Sequence, residues 1–180
     1  MKKKIQQVEI KKEYLEQEDY YDNEYIEKVS EKYAGLIGSF IIKFSELEYE
    51  IDQAIAKSFI DDCDSEGYRI IKFLNINNKI ELFYEIYLER ANFINKKNIP
   101  LLKKIKKDLD SLRIFRNQLA HANWTTLTKE GYVRTKIESD KHDGMINLVK
   151  VRILPRIIRD YTNRLDSTLL KIGDYLENGN

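Results

Sequence analysis

Apolar residues recur at three- and four-residue spacing through most of this chain, and that periodicity limits the possible folds more than any other feature. The longest example is the stripe Ile37, Phe40, Phe44, Leu47, Ile51, Ile55 and Phe59. Such spacing places apolar side chains on one face of a helix that packs against a core. It predicts a first long helix from about Glu24 to residues 61–65.

Three further segments have helical periodicity. The second spans about residues 67–95 and is predicted to break at residues 75–78, because asparagine caps helices better than it extends them. The third runs from about Pro100, which suits a first helical turn, to residues 121–123. The last begins at Pro155. Together these segments predict a four-helix bundle.

The segment between the third and last helices has a different, β-prone composition. Residues 125–128 and 132–137 flank a polar turn at residues 129–131, which predicts a β-hairpin. Residues 145–153 form another extended run that could add a third strand. The predicted fold class is therefore mainly α, with a small hairpin or sheet inserted at about residues 125–153, before the last helix.

The N-terminal segment, residues 1–29, is dense in charge and lacks clear periodicity. It is interpreted as an extension, a short helix, or a segment that orders only against a partner, whereas residues 30–178 form the helical domain. No apolar run approaches the roughly 20 residues of a membrane span, and no signal-peptide pattern occurs. The single cysteine, Cys63, excludes an internal disulfide. These features predict a cytoplasmic protein without a membrane partner.

Charge is distributed unevenly along the chain. Residues 1–95 hold 13 Lys and Arg against 20 Asp and Glu, whereas residues 96–180 hold 18 against 10. The basic half could face an anion, or the two halves could neutralise each other in the fold. No zinc-ligand cluster, phosphate-binding glycine loop or hydrolase elbow occurs, so no metal or cofactor is expected.

Three polar residues occupy positions that core packing alone does not explain. Glu48 lies about 40° from the middle of the apolar stripe of the first helix, and Arg116 lies near the centre of the stripe of the third. A buried carboxylate and a buried guanidinium each need a partner, so the simplest prediction pairs the two. His121, about 140° around the helix from Arg116, is expected to reach outward.

The segment Phe115–His121 resembles the signature of the HEPN superfamily, in which an arginine is followed by four to six residues and then a histidine. The position after the arginine is commonly polar in that family, as Asn117 is here. The resemblance extends over about residues 30–175, through an acid on the first helix and the motif at the end of the third. It implies a metal-independent endoribonuclease that acts as a homodimer, as a toxin or antiviral effector.

The same resemblance implies roles for individual residues. His121 acts as base or acid, Arg116 binds the scissile phosphate or orients the site, Asn117 assists, and Glu48 supplies the buried acid. Cleavage through the 2′-hydroxyl needs both an acid and a base, and the only other histidine, His142, is predicted in a solvated turn. A second copy of the chain would complete the site and leave 2′,3′-cyclic phosphate ends.

Cations near the motif could guide RNA toward it. The third helix carries four of them, Lys103, Lys106, Lys107 and Arg113. Five others surround the last helix: Lys150, Arg152, Arg156, Arg159 and Arg164. The alternative is that these charges form the solvated face of a helix.

Other interpretations of the motif stay open. Arg116 and Glu48 could form a purely structural pair, with His121 as a helix C-terminal cap. The chain could then be a non-catalytic HEPN-like module that binds a partner protein, RNA or nucleotide, or a helical dimer with structural duties. An antitoxin or regulatory protein is a further expected partner. Members neutralised by a nucleotidyltransferase antitoxin carry a tyrosine where this chain has Asn123, and the following Trp124 is expected to be packed.

Overall fold

Five α-helices and three β-strands form the regular structure of the residues that the computed structural model describes, which are 8–14, 23–59, 64–139 and 146–178. The helices are α1 (Asn23–Phe59), α2 (Asp64–Ile71), α3 (Ile76–Phe93), α4 (Ile99–His121) and α5 (Pro155–Asn178). The strands are β1 (Glu9–Tyr14), β2 (Tyr132–Ser139) and β3 (Ile146–Arg152). The predicted fold class, mainly helical with a small sheet, is confirmed. None of the helices among these residues combines the length and apolarity needed to cross a bilayer.

The helix boundaries follow from the sequence signals. The apolar stripe of α1 is buried from Phe40 to Ile55, whereas Phe59 at the end of the helix is about half exposed. The predicted break in the second helical region lies between α2 and α3. There the side chain of Asn75 accepts a hydrogen bond from the backbone N–H of Asn78 (3.0 Å) and so caps α3.

The sheet is antiparallel, with strand order β1-β3-β2. Val133, Val149 and Val151 share one of its faces and are buried. The prediction of a strand at residues 145–153 is confirmed by β3, which forms the centre of the sheet.

The predicted strand at residues 125–128 is wrong, because side chains there cap the backbone. Residues Trp124–Thr126 form a short 3-10 helix with Asn123 as its N-cap. The Asn123 side chain accepts from both the backbone N–H (3.3 Å) and the hydroxyl (2.6 Å) of Thr125. Such local hydrogen bonds compete with strand pairing. The turn predicted at residues 129–131 does form, with Gly131 at a φ of 88°.

The N-terminal segment contributes to the sheet, which its interpretation as an extension missed. Strand β1 pairs with β3 along its whole length, from Glu9 opposite Arg152 to Tyr14 opposite Asn147. The predicted boundary between residues 29 and 30 also falls inside α1. An edge strand with one solvated face needs little apolar sequence, and the partner strand is more than 130 residues away.

The chain divides into two compact units. Unit 1 comprises residues 1–41 and 115–162, and unit 2 comprises residues 42–114 and 163–180. The sheet and the segment after α4 belong to unit 1, and α2 and α3 belong to unit 2. Helices α1, α4 and α5 each contribute residues to both.

An aromatic cluster around Tyr87 forms part of the core of unit 2. Its ring lies 4.8 Å from that of Phe83 and 5.8 Å from that of Tyr175, measured between centroids. Its hydroxyl donates a hydrogen bond to the carbonyl of Ala54 (3.2 Å). Because buried phenols need a polar partner, this bond fixes α3 against α1 within the unit.

Candidate active site

The last turns of α4 carry the motif, and aromatic packing in unit 1 holds them in place. The Phe115 ring stacks on Tyr161 of α5, with centroids 3.9 Å apart, and meets the edge of Phe40 of α1 at 5.3 Å. Leu119, one turn further on, is also buried. The other motif residues therefore lie on a helical segment whose buried face is fixed by close packing.

Trp124 closes the end of this helix. Its indole N–H donates to the carbonyl of Leu119 (3.1 Å), one of the last carbonyls of α4, which has no partner within the helix. Its ring lies 5.5 Å from that of Tyr33, whose hydroxyl donates to the carbonyl of Ile153 (3.0 Å). The expectation that Trp124 is packed is confirmed. Trp124 also caps the C-terminus of α4, a role that one interpretation of the sequence assigned to His121.

The three motif side chains differ in exposure. Arg116 is partly buried and its guanidinium donates to the side-chain oxygen of Asn117 (3.4 Å), which is also partly buried. His121, the last residue of α4, is exposed. Within the described part of the chain, its imidazole has no hydrogen-bond or ion-pair partner. The arrangement leaves this imidazole available to a ligand.

Glu48 has a different partner from the predicted one. Its carboxylate binds the ammonium of Lys79 on α3 (2.9 Å), which also binds Asp52 one turn along α1 (2.8 Å). The predicted pairing with Arg116 is therefore wrong. Lys79 lies on the buried stripe of α3 with Phe83 and can satisfy two carboxylates at once. The reasoning that singled out Glu48 on an apolar stripe would have found Lys79 as well.

The pKa values of Asp52 and Lys79 are both raised, but for different reasons. It raises the pKa of Asp52, whose Oδ1 is buried without a hydrogen-bond partner, and the bond from Lys79 offsets only part of the effect. Burial alone would lower the pKa of Lys79, but hydrogen bonds to Asp52 and Glu48 outweigh it and raise that pKa. Lys79 is therefore a firmly charged structural cation in unit 2.

The four cations predicted to contact RNA from α4 fall into two groups. Lys103 and Lys107 are exposed. Lys106 binds Glu81 (2.8 Å) and Asp110 (3.2 Å), and Arg113 lies 3.7 Å from the same Asp110 carboxylate. Carboxylates thus neutralise part of the charge that Lys106 and Arg113 would offer to a phosphate.

The cations predicted around the last helix also divide into an exposed group and a group paired with carboxylates. Arg156 and Arg159 are exposed. Arg164 binds Asp108 (2.6 Å), whereas Lys150 and Arg152 lie on β3 and bind carboxylates of β1. His142 and Cys63 lie outside the described residues. Among the residues that are described, no group of three or more His, Cys, Asp or Glu side chains gathers as metal ligands would.

Comparison with known proteins found no relative of this chain. No family model, curated protein or solved structure matches it.

Proposed function

We propose that this chain is a metal-independent endoribonuclease that acts as a homodimer in the cytoplasm, with His121 as a proton-transfer group and Arg116 as a phosphate-binding or site-orienting cation. The observation that carries the proposal is the exposed His121 imidazole at the end of a helix anchored by Phe115 and Trp124. A fixed helix end with an imidazole exposed to solvent meets two needs of acid–base catalysis, which are position and access.

The reaction would proceed by attack of an RNA 2′-oxygen on the adjacent phosphorus. A base removes the 2′-hydroxyl proton, the new P–O bond forms, and the bond from phosphorus to the 5′-oxygen breaks as an acid protonates that oxygen. The products are a 2′,3′-cyclic phosphate and a 5′-hydroxyl. The guanidinium of Arg116 would stabilise the negative charge on the pentavalent transition state, because donors aimed at developing charge lower the barrier most.

Two copies of the chain would complete the site. One His121 cannot be both the base and the acid of a single cleavage step, and a two-fold axis beside α4 would bring a second imidazole and a second guanidinium to the same phosphate. Asn117 would hold Arg116 in its orientation through the hydrogen bond between them. Glu48 has no role in this proposal, because its carboxylate belongs to the Lys79 network.

The test is cleavage of a labelled single-stranded RNA in excess chelator by the chain and by its His121→Ala variant. We expect the parent chain to leave 2′,3′-cyclic phosphate ends and the variant to lose at least about 100-fold in rate, the usual contribution of one acid–base group. Lys57→Ala, an exposed change at the end of α1, serves as the matched control. Equal cleavage by the parent chain and His121→Ala would rule out the assigned role.

A non-catalytic interaction module is the second candidate. It is favoured by the engagement of Glu48 with Lys79, which removes the acid expected beside Arg116. In that case RNA would remain intact under all conditions, while the exposed end of α4 would bind a regulatory protein or antitoxin. Loss of partner binding in His121→Ala, without any RNA cleavage by the parent chain, would support this second function.

A further inference from the structure

One face of the sheet carries cations on neighbouring strands. In the antiparallel register, Lys150 of β3 lies directly between Arg134 of β2 and Lys11 of β1. Residues that oppose one another across strands have side chains on the same face and about 5 Å apart. Like charges in that position repel one another, so a row of three cations is favoured by nearby negative charge.

The adjacent row extends the charge and adds an aromatic ring. There Arg152 of β3 lies between Tyr132 of β2 and Glu9 of β1. The Tyr132 ring is covered by two cations, with Lys11 Nζ 4.4 Å and the Arg152 guanidinium carbon 5.7 Å from its centroid. We call these two rows, together with Glu13, the cationic face. The ring itself is buried, so it holds the two cations in place rather than offering a surface on which a base could stack.

The carboxylates of β1 already occupy part of the cationic face. Glu13 binds Lys150 (2.6 Å) and Glu9 binds Arg152 (3.3 Å). The hydrogen bond from Tyr132 and the charge of Arg152 lower the pKa of Glu9, so it is an anion at neutral pH. Both glutamates are about half exposed, at 45% and 53%. Exposed ion pairs contribute little stability, so a polyanion with several phosphates can displace them.

The cationic face lies close to the motif in unit 1. The backbone N–H of Asn123 donates to the carbonyl of Arg134 (2.8 Å), and the two residues form an antiparallel bridge. Bridged residues have Cα atoms about 5 Å apart, and two residues of chain span at most about 7 Å, so the Cα of His121 lies within about 12 Å of that of Arg134. That distance corresponds to a few nucleotides of an RNA strand.

We propose that the cationic face binds the phosphates of single-stranded RNA beside His121, and that Glu9 and Glu13 compete with the RNA for the same cations. The inference deepens the proposed function by placing substrate binding on the sheet rather than on α4. Position favours the sheet, because its cations occupy adjacent rows in the same unit as His121, whereas the four cations of α4 belong to unit 2. The N-terminal strand thereby sets the affinity of the site for RNA.

The test is fluorescence anisotropy of a labelled, uncleavable 2′-O-methyl oligonucleotide titrated with the full chain at several salt concentrations. For Lys150→Gln and for Lys11→Gln we expect about tenfold weaker binding. The slope of log affinity on log salt should also fall by about 0.7 for each lost phosphate contact. For Glu9→Gln/Glu13→Gln we expect binding to tighten at least threefold. Lys57→Ala is the control, and Lys103→Ala/Lys107→Ala reports on α4.

Several results would overturn the inference. Unchanged affinity in both Lys150→Gln and Lys11→Gln would do so, as would a loss confined to Lys103→Ala/Lys107→Ala. Equal binding of poly-glutamate with the same sensitivity to these variants would show a general polyanion surface instead of an RNA surface. Because the oligonucleotide cannot be cleaved, binding is measured independently of catalysis. A chain that binds as expected but never cuts RNA would disprove the proposed function and leave this surface intact.

Discussion

Arg116 and His121 lie on the same helix, but their surroundings suit different chemical tasks. Arg116 is partly buried and hydrogen-bonded to Asn117, and a guanidinium keeps its charge in such a position. His121 is exposed at the helix end, where an imidazole can exchange protons with water or substrate. Burial therefore separates a partly buried guanidinium from an exposed imidazole within five residues of chain.

Gly131 is a residue whose replacement should have a clear energetic effect. Its φ of 88° is one that L side chains rarely adopt, and an added Cβ would lie 2.5 Å from Cδ2 of Leu154. We predict that Gly131→Ala lowers the free energy of unfolding by about 2 kcal/mol, measured by urea denaturation.

A second glycine provides the matched control for that substitution. Gly173 lies in α5, and an added Cβ there meets nothing within 4 Å. Gly173→Ala should raise the free energy of unfolding by up to about 1 kcal/mol, because alanine favours the helix. If Gly131→Ala were as stable as the parent chain, the turn before β2 would not require its present conformation.

At the scale of elements, the sequence predicted what local signals determine. Periodicity correctly predicted α1, α4 and α5, and asparagine capping correctly predicted the break before α3. These features depend on residues within a few turns of the chain. Strand β1 was missed, because its pairing with β3 depends on backbone hydrogen bonds to a strand distant in the chain. The partner of Glu48 was misassigned for a related reason. Periodicity places a side chain on a face but does not say which helix covers it.

Two ion-pair networks in unit 2 tie helices together with opposite pH dependence. On α4, burial alone would raise the pKa of Asp108, but hydrogen bonds from Lys171 and Arg164 of α5 outweigh it and lower that pKa. On α1, burial raises the pKa of Asp52 despite Lys79. The folded state thus stabilises the anionic form of Asp108 but not that of Asp52.

We predict that Asp108→Asn and Asp52→Asn change the pH dependence of stability in opposite directions. An unfolded aspartate titrates near pH 4. The contribution of Asp108 is present above that value and lost as the pH falls through the lower folded pKa. The contribution of Asp52 is present below about pH 4 and lost as the pH rises through the higher folded pKa. Compared with the parent chain, the urea midpoint of Asp108→Asn between about pH 3 and 6 should therefore fall less steeply toward acid pH. The urea midpoint of Asp52→Asn should fall less steeply toward neutral pH.

An NMR titration of the side-chain carboxyl carbons checks the same prediction without a substitution. Asp108 should titrate below the ordinary aspartate range and Asp52 above it. If both groups titrated on the same side, the contrast between a well-paired and a partly unpaired carboxylate would not hold.

At the scale of the whole molecule, the proposed chemistry depends on assembly. Each chain contributes one His121 and one Arg116, and each cleavage step needs a base and an acid at the same phosphate. If the two imidazoles act together, a dimer with one altered histidine has lost half of a shared site. If each chain works alone, the parent chain in a mixed dimer keeps its full activity. These alternatives differ in how activity depends on the fraction of parent chains.

The parent chain refolded together with His121→Ala in varied proportions provides the measurement. Random pairing leaves parent–parent dimers as the square of the parent fraction, so an equal mixture should keep about one quarter of the activity if the site is shared and about half if it is not. We predict the quadratic dependence, read from initial rates of RNA cleavage across mixing ratios at constant total protein. Lys57→Ala in place of His121→Ala should leave the rate unchanged at every ratio, because that variant keeps both catalytic groups. A linear dependence on the parent fraction would show that a single chain supplies the complete proton-transfer chemistry.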